Sequence, residues 1–281
     1  MSHDLAVIIG CGYLGRCLAH KLLAAYSQVW LTNRAVTNGR DPILESRCCL
    51  IAHDFAVVTS TWPALPERET KADLFCLVPP GALATDASRI NLMQWVQQLP
   101  INRGILTSST AVYGAGNGAV VSSETPLQLD SERANLLARI EHTWQRDPRF
   151  HVLRLAGLYG PGRVIGERAL RLGEALPGGA DEFLNLFHVD DAADLLLKFI
   201  AAPACEAIEL GSDGHPVRRG EYYEFLAGCL GTVKPRFGAA TGKSSGNRRC
   251  DPASTMVRLD WRPTYKNYRE GVRAALGPGR K

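Results

Sequence analysis

The sequence predicts an α/β protein with a doubly wound parallel sheet and a smaller α+β lobe toward its C-terminus. Short apolar runs of strand length alternate with segments of helical apolar spacing through much of the chain. Strands that alternate with helices in this way form parallel βαβ units in one sheet. The second observation is a glycine-rich turn, residues 10–15, which joins the first strand to the first helix without a linker.

The first strand and the first helix flank this glycine turn. Ala6–Ile9 is an apolar run of strand length, and apolar residues recur at helical spacing over residues 17–23. Gly10 permits the tight turn, Gly12 lets a pyrophosphate approach the backbone, and Gly15 lets helix and strand pack closely. The first N–H groups of the helix suit phosphate binding. The alternative is a tight turn that binds nothing. The expected dinucleotide contacts at the turn are Gly10, Gly12, Tyr13, Leu14 and Gly15.

The end of the second strand bears on which dinucleotide binds. Gln28–Leu31 has the pattern of a strand and is followed by Thr32, Asn33 and Arg34. An NAD site usually places Asp or Glu here for the ribose 2′-hydroxyl, and this chain has no acid at that point. Asn33 can donate hydrogen bonds and Arg34 has a planar cation, a combination suited to a 2′-phosphate. The sequence therefore favours NADP over NAD; the alternative is that Arg34 stacks on the adenine or points into water.

Two further strands continue the predicted sheet. Cys48–Ala52 forms the third strand, and we expect the residues after it to lie beside the adenine. Ala72–Val78 forms the fourth strand, and the prolines at 79–80 end it because a central strand cannot contain proline. Ligands of such sheets bind at the carboxyl ends of the strands. The expected cofactor contacts at these two strand ends are Asp54, Phe55, Val78, Pro79 and Pro80.

The remaining elements complete the sheet and form the smaller lobe. Ile90–Leu99 has helical spacing, Gly104–Ser109 forms the fifth strand, and Asp130 or Ser131 can cap the helix that follows. We expect residues 1–160 and 185–212 to form the cofactor-binding domain, and residues 161–184 and 213–281 to form the substrate-binding lobe. The later elements are a strand at Phe150–Leu155, helices at Ala192–Ile200 and Glu221–Leu230, a strand at Ala207–Leu210, and a mobile loop at Thr241–Arg249.

Composition excludes several classes of protein. The 281 residues are 46% apolar and 21% charged, with a net charge of +4. Both signs of charge are mixed along the chain, so no basic track for nucleic acid is predicted. The N-terminal apolar run is too short for a signal peptide, and no run has the length of a bilayer span. We therefore expect a cytoplasmic protein with no nucleic-acid or membrane partner. The eight cysteines form no CxxC, which supports neither a metal site nor a disulfide framework.

Six segments occur in a fixed order and span nearly the whole chain. They are GCGYLG at 10–15, SSTAVYG at 108–114, ETP at 124–126, RLAGLYGPG at 154–162, FHVDDAA at 187–193, and DWRP at 260–263 with EGV at 270–272. Together they resemble the extended short-chain dehydrogenase/reductases, the NAD(P)-dependent epimerase/dehydratase group. The resemblance implies a Rossmann sheet that holds the cofactor and a smaller lobe for a substrate that is often a nucleotide sugar. It also implies a possible homodimer, formed through the helices after strands four and five.

The sequence departs from the family at the catalytic helix. Members usually have Tyr-x-x-x-Lys there, with Glu one turn after the lysine. Counting back from Glu141 puts Leu137 at the lysine position and Arg133 at the tyrosine position. Ile9 also stands where GxxGxxG members have their first glycine. The chain therefore resembles the atypical branch, in which the fold and the cofactor site persist but the catalytic residues do not.

The resemblance leaves four candidates for the chemistry, which are Ser109, Tyr113, Arg133 and His188. Ser109 aligns with the active-site Ser or Thr and could hold a substrate oxygen, or it could end the fifth strand and bond to the backbone. Tyr113 aligns with the VYG tyrosine; a cation such as Arg133 would lower the pKa of a nearby tyrosine, and packing is the other interpretation. His188 could donate a proton near neutral pH or serve as a structural hydrogen-bonding group.

The remaining candidates are binding residues. The resemblance adds cofactor contacts at Ser108, Gly157 and Leu158. Arginine suits a phosphate or a carboxylate, so an anionic substrate is expected, and a solvated basic rim is the alternative. The candidate substrate contacts are Tyr159, Arg163, Arg248 and Arg249, with Arg133 as a further clamp.

Two functional hypotheses follow from these residues. The first is an NADP-dependent oxidoreductase or epimerase that acts on a small carbonyl compound, or a nucleotide sugar, with negative charge. The second is a non-catalytic protein that binds NADP as a sensor or as a scaffold for a partner. Leu137 at the lysine position favours the second hypothesis.

Overall fold

The computed structural model describes residues 3–34, 41–54, 57, 71–203, 205–238 and 246–277. The chain divides into two compact units, and both are built from separate stretches of sequence. The first unit comprises Met1–Ser108, Asn135–Leu153 and Ala193–Glu209, and the second comprises Ser109–Ala134, Arg154–Ala192 and Leu210–Lys281. Residues 109–134 therefore group with the second unit, although the sequence places them within the predicted cofactor domain.

The main sheet is formed by seven strands among the described residues. They are β1 (His3–Ile9), β2 (Tyr26–Asn33), β3 (Cys49–Ala52), β4 (Ala72–Cys76), β5 (Ile101–Ser109), β7 (Phe150–Leu155) and β11 (Ile208–Gly211). Their order is β11-β7-β5-β4-β1-β2-β3. The pairs β1–β2, β1–β4, β2–β3 and β4–β5 are parallel. The predicted doubly wound parallel sheet is confirmed.

Helices connect the strands, and polar side chains cap several of them. The helices are α1 (Tyr13–Leu22), α2 (Pro42–Arg47), α3 (Asp86–Val96), α4 (Glu132–Trp144), α5 (Glu167–Leu172), α6 (Val189–Ala201), α7 (Arg219–Leu230), α8 (Ala253–Arg258) and α9 (Tyr268–Leu276). Thr85 accepts a hydrogen bond from the N–H of Ser88 at the start of α3, and Ser131 accepts one from Ala134 at α4. Of the two predicted caps for α4, Ser131 is thus the one observed. None of the helices in the described ranges is both long enough and apolar enough to cross a membrane.

The core of the first unit includes large aromatic side chains. Trp95 of α3 and Trp144 of α4 are buried, and Trp144 stacks on Phe150 of β7 with ring centroids 4.6 Å apart. A Cβ at Gly104 would lie 2.8 Å from the Phe150 ring, so glycine is the residue that lets this ring approach β5. The apolar runs that predict the strands are therefore the residues that fill this core.

The second unit contains short two-stranded ribbons in its described part. They are β8 (Gly157–Tyr159) with β10 (Leu186–His188), β9 (Phe183–Leu184) with β12 (Val217–Arg218), and β6 (Ala119–Val121) with β13 (Arg248–Cys250). The predicted mobile loop at Thr241–Arg249 is wrong at its end, because Arg248 and Arg249 belong to β13. Residues 119–121 supply the partner strand, a long-range pairing that local composition does not reveal. Residues 241–245 of that loop lie outside the described residues.

Candidate functional site

Backbone hydrogen bonds fix the glycine turn to the end of β2. The N–H groups of Gly10 and Cys11 both donate to the carbonyl of Thr32, at 3.1 and 3.0 Å. The side-chain amide of Asn33 donates to the carbonyl of Cys11 at 3.1 Å. Gly10 has a φ of +90°, which favours glycine. These hydrogen bonds tie the turn to the end of β2.

The second and third glycines of the turn have opposite surroundings. A Cβ at Gly15 would lie 2.8 Å from the carbonyl oxygen of Gly10, so this glycine allows close packing of helix and strand. At Gly12, by contrast, no described atom other than those of its two chain neighbours lies within 4 Å of the Cβ position. The first turn of α1 consists of residues 13–16 and contains no acid. Helix N-termini offer unbonded N–H groups and a positive dipole end, so the open turn fits a diphosphate.

The residues after β2 and β3 supply the charge at this edge of the first unit. Arg34 is exposed, whereas the amide of Asn33 is engaged with the turn. His53 is buried and stacks on Trp95 with ring centroids 6.1 Å apart, and burial lowers its pKa. Asp54 is half-buried, and Phe55 lies outside the described residues. Among these predicted contacts, Arg34 is the one whose positively charged side chain is exposed.

The other predicted cofactor contacts of the first unit lie at the ends of β4 and β5. Val78 is half-buried, and its side chain would lie 3.0 Å from a Cβ at Gly10. Pro79 precedes a single 3₁₀ turn, Pro80–Leu83. The hydroxyl of Ser108 donates to the buried carboxylate of Glu141 on α4, so this serine is engaged with its own unit.

Helix α4, the counterpart of the family's catalytic helix, has a leucine at the position where the family places its lysine. Leu137 is 2% exposed and belongs to the core. Arg133 is exposed in the first turn of α4. An arginine cannot act as a general acid, and leucine cannot hold a ribose or lower the pKa of a neighbour. Neither residue replaces the Tyr–Lys pair.

Ser109 begins a 3₁₀ turn, Thr110–Tyr113, in the second unit. Its hydroxyl oxygen accepts a hydrogen bond from the N–H of Ala111 at 3.2 Å. Of the two interpretations of Ser109 that the sequence allows, the structure thus shows the hydrogen bond to the backbone. A hydroxyl that accepts in this way still has its own proton to donate, so the geometry is also compatible with holding a substrate oxygen.

The cation beside Tyr113 is Arg154. Its Nη1 donates to the phenolic oxygen at 3.0 Å, and the guanidinium carbon lies 5.1 Å from the ring centroid. Tyr113 is 1% exposed and Arg154 is 3% exposed. The expectation that Arg133 supplies this cation is therefore wrong. The sequence does contain a signal for Arg154, because it is a charged residue inside the apolar run FHVLRL. An arginine that is buried in such a strand needs a hydrogen-bond partner within the protein.

His188 lies at the end of β10 and is buried between aromatic rings. Its ring centroid is 3.9 Å from that of Tyr265 and 5.3 Å from that of Tyr159. Nδ1 accepts a hydrogen bond from the N–H of Asp190 at 3.3 Å, which puts the proton of the neutral ring on Nε2. Burial lowers the pKa of His188 and the charge of Asp190 opposes this shift, so the environment favours the neutral ring. Among the described residues, Nε2 has no hydrogen-bond partner.

Asp213 is a buried carboxyl group that sequence reasoning missed. One oxygen accepts a hydrogen bond from the N–H of His215 at 2.9 Å, and Oδ2 is buried with no partner in the described part of the chain. Burial raises the pKa of Asp213 to about 7, and the charge of Asp191 acts in the same direction. Asp191 itself accepts from the N–H of Thr264 at 2.8 Å. In the sequence, the segment SDG resembles an ordinary polar turn.

The residues of β8 are packed within the second unit. The N–H of Gly157 donates to the carbonyl of Asn185 at 3.0 Å, and Leu158 is half-buried. Tyr159 is buried, and a Cβ at Gly271 would overlap its hydroxyl. Tyr159 therefore has a packing role in addition to any contact with substrate.

The predicted anion-binding arginines divide into exposed and internal groups. Arg163 and Arg249 are exposed, and Nε of Arg249 donates to the carbonyl of Gly118 at 2.9 Å. Arg248 is buried and donates to the carbonyl of Gly114, and burial lowers its pKa. Arg163 and Arg249, like Arg133 on α4, are therefore exposed to solvent, whereas Arg248 is not.

Comparison with known proteins adds one relative and a common fold. No family model matches the sequence. Protein YeeZ of Escherichia coli (strain K12) is 30% identical over 243 residues, which cover 82% of this chain and 85% of YeeZ. A functionally unknown conserved protein from Silicibacter pomeroyi superposes with a TM-score of 0.78 at 24% identity, covering 97% of this chain and 98% of that one.

A second solved structure has the same fold. It is a variant of UDP-glucuronic acid 4-epimerase from Bacillus cereus, in complex with NAD and UDP-4-deoxy-4-fluoro-glucuronic acid. It superposes with a TM-score of 0.79 at 16% identity and covers 96% of this chain and 97% of its own.

Proposed function

Because the chain belongs to the same family as YeeZ, among the extended and atypical short-chain dehydrogenase/reductases, we propose that it is a nicotinamide-dinucleotide-dependent enzyme. The proposed reaction is an oxidation, reduction or epimerisation at a carbonyl carbon. The proposed cofactor is NADP, and the proposed substrate is a small carbonyl compound or a nucleotide sugar that bears negative charge.

The open glycine turn is the observation on which the proposal depends. Gly12 has no described atom within 4 Å of its Cβ position, and it lies directly before the first turn of α1. A diphosphate can therefore approach the backbone without any side chain being displaced. Arg34 at the end of β2 supports NADP, because its exposed guanidinium suits a 2′-phosphate.

The second unit offers two hydrogen-bond donors for a carbonyl oxygen. A bound nicotinamide would supply or accept the hydride. The chain itself must hold the oxygen and manage its proton. The hydroxyl of Ser109 accepts from the backbone and retains its proton, and Nε2 of His188 is the protonated nitrogen of a neutral ring. We assign the orienting role to Ser109 and the proton-donating role to His188. A neutral imidazole is too weak an acid to give up its Nε2 proton, so the ring must first be protonated at Nδ1, which lies 3.6 Å from the Asp190 carboxylate.

Exposed guanidinium groups favour an anionic substrate. Arg163 and Arg249 are both exposed in the second unit. The Bacillus cereus epimerase of the same fold was solved with a sugar nucleotide that carries phosphates and a carboxylate. A substrate of that charge type is consistent with arginine, which binds planar anions through paired hydrogen bonds.

A protein that binds NADP without turnover is the second candidate. The buried Leu137 favours it, because it occupies the position where the family places its lysine. Loss of that lysine removes the group that orients the ribose and assists the tyrosine.

One pair of measurements separates the two candidates. Equilibrium titration measures binding of NADPH and NADH, and single-turnover oxidation of NADPH is then followed with a panel of keto sugars and keto acids. Oxidation that is lost in Ser109→Ala and His188→Gln supports the enzyme, whereas binding with no oxidation by any compound supports the sensor. Absence of binding by either nucleotide overturns both.

A further inference from the structure

His188 lies directly before α6, and the first turn of that helix contains two acids, Asp190 and Asp191. Asp191 accepts the N–H groups of Thr264 and Tyr265 at 2.8 and 3.1 Å, so both of its carboxylate oxygens hold a distant segment of the second unit. By contrast, Oδ2 of Asp190 lies 3.6 Å from Nδ1 of His188. Among the described residues, Asp190 is therefore the acid whose carboxylate contacts the imidazole.

Nδ1 of His188 lies close to two groups of this one residue. The backbone N–H of Asp190 donates to Nδ1 at 3.3 Å, as the neutral ring requires. A protonated Nδ1 cannot accept that hydrogen bond, but it can donate one to the carboxylate of the same residue. The two partners lie 3.3 and 3.6 Å from Nδ1, so the ring can change partner with little movement.

Two features of the surroundings oppose a charged His188. The ring is 1% exposed and lies against the rings of Tyr265 and Tyr159, with centroids 3.9 and 5.3 Å away. Burial of this kind disfavours the imidazolium. The ring also precedes the N-terminus of α6, where the positive end of the helix dipole repels a cation. A negative charge at Nδ1 is therefore needed to stabilise the protonated ring.

The neighbouring aromatic side chains do not supply that charge. Tyrosine is neutral at pH 7. Burial raises the pKa of Tyr159, and the charges of Asp213 and Asp191 act on it in the same direction, which keeps its hydroxyl protonated. Burial lowers the pKa of His188, and the charge of Asp190 opposes that shift. Contact geometry and charge thus indicate the same residue.

We propose that Asp190 is the positioning residue for proton transfer by His188, because its carboxylate holds a proton on Nδ1 and leaves Nε2 as the donating nitrogen. This inference rests on the proposed function, since it concerns the proton of the same reaction. When the carbonyl is reduced, the Nε2 proton passes to the carbonyl oxygen. The ring becomes neutral and keeps its remaining proton on Nδ1, against Asp190, until one proton from solvent restores the imidazolium.

The first measurement follows the imidazole itself. Ring ¹⁵N–¹H NMR correlation spectra are recorded from about pH 5 to pH 8 for the wild type, Asp190→Asn and Asp190→Glu. His188→Gln identifies the His188 signals among those of the seven histidines. Glu132→Gln is the matched control, since it removes an exposed acid from the first turn of α4 in the same unit. Thermal unfolding followed by circular dichroism checks that each variant is folded.

The second measurement is single-turnover oxidation of NADPH over the same range of pH. Asp190→Asn should lower the pKa of His188 by about 1 to 2, as expected for loss of an adjacent opposite charge. The protonated fraction at pH 7, and with it the rate of oxidation, should fall about 10- to 100-fold and should recover toward the wild type as the pH is lowered. Asp190→Glu keeps the carboxylate and should show a smaller loss of both, and Glu132→Gln should change neither.

Two results would overturn the inference while leaving the proposed function intact. One is an unchanged titration of His188 in Asp190→Asn. The other is a loss of oxidation in Asp190→Asn that is the same at every pH, which is what a merely structural role of this acid predicts. Failure of the wild type to oxidise NADPH with any compound of the panel is a different outcome, because it removes the proposed enzyme and this inference with it.

Discussion

The glycine turn of the first unit and the candidate catalytic residues of the second unit differ in how far their polar groups are buried. At the turn, Gly12 faces open space and Arg34 is exposed. In the second unit, Tyr113, His188 and Asp213 are almost completely buried and bonded to their own unit. The turn presents groups to a ligand, whereas the buried residues first stabilise the fold around them.

This difference indicates that cofactor binding is less sensitive to side-chain substitution than proton transfer is. Dinucleotide binding at a glycine turn depends on backbone N–H groups and on space, which many side chains leave intact. Proton transfer depends on particular side chains, and here Leu137 occupies the lysine position. A chain can therefore retain the cofactor turn while its chemistry moves to other residues or is lost.

The largest effect is expected from filling the open turn. Gly12→Val places methyl groups where the diphosphate must lie, so NADPH binding should fall about 100-fold or more, equivalent to about 2.7 kcal/mol. The melting temperature should change little, because no described atom lies within 4 Å of the new Cβ. Gly15→Ala is the opposite case, since its Cβ would meet the Gly10 carbonyl at 2.8 Å and should lower stability. Tight NADPH binding by Gly12→Val would show that the turn is not the site.

Adding one methyl group at Gly271 should destabilise the packing of the second unit. Gly271→Ala directs its Cβ into the hydroxyl of Tyr159, so the free energy of unfolding should fall by about 2 kcal/mol, as in other overpacked cores. The same change at Gly228, in the interior of α7 with no described atom within 4 Å, should raise it by about 0.5–1 kcal/mol. Urea unfolding measures both.

A double variant checks the cause of that loss. Tyr159→Phe removes the overlapping hydroxyl and should restore part of the stability of Gly271→Ala. An unchanged loss in the double variant would place the strain elsewhere in α9.

Asp213 should give the second unit an unusual dependence on pH. Its pKa is raised by burial to about 7, so between pH 4 and 7 the folded protein holds a proton that the unfolded chain has released. Stability from this group is therefore present at low pH and is lost as pH rises through that window. Asp213→Asn should be more stable than the wild type at pH 8 by about 2–4 kcal/mol and nearly equal to it at pH 4.

Urea unfolding at pH 4, 6 and 8 tests this dependence. Asp181→Asn, at an exposed aspartate of the same unit, is the control and should run parallel to the wild type. A stability difference between Asp213→Asn and the wild type that stays constant with pH would contradict the assignment.

The smallest effect is expected at the buried pair of Tyr113 and Arg154. Tyr113→Phe removes an acceptor of the buried Arg154 guanidinium and should lower stability by about 1–2 kcal/mol. Turnover should persist if His188 is the proton donor, because Tyr113 then has only a structural role. Complete loss of NADPH oxidation with normal NADPH binding would assign the proton to Tyr113 instead.

The fold was predictable wherever the signal is local. The strand, glycine turn and first helix follow from the eighteen consecutive residues 6–23, and a helix cap at Asp130 or Ser131 follows from the neighbouring residues. Arg154 and β13 were not predictable, because their partners are distant in sequence: Arg154 contacts Tyr113, and residues 248–250 pair with residues 119–121. Asp213 was not predictable because its burial depends on the tertiary structure, although its hydrogen bond to His215 is local. A buried charge can be noticed in a strand, but its partner is fixed only by the tertiary structure.

Amide hydrogen exchange at the glycine turn, with and without NADPH, reports directly on where the dinucleotide binds. If the diphosphate occupies the N-terminus of α1, exchange at residues 10–16 should slow markedly on saturation with NADPH, with smaller changes at Asn33 and Arg34. Unchanged exchange across residues 10–16 at saturating NADPH, or no detectable binding, would contradict a dinucleotide site at this turn.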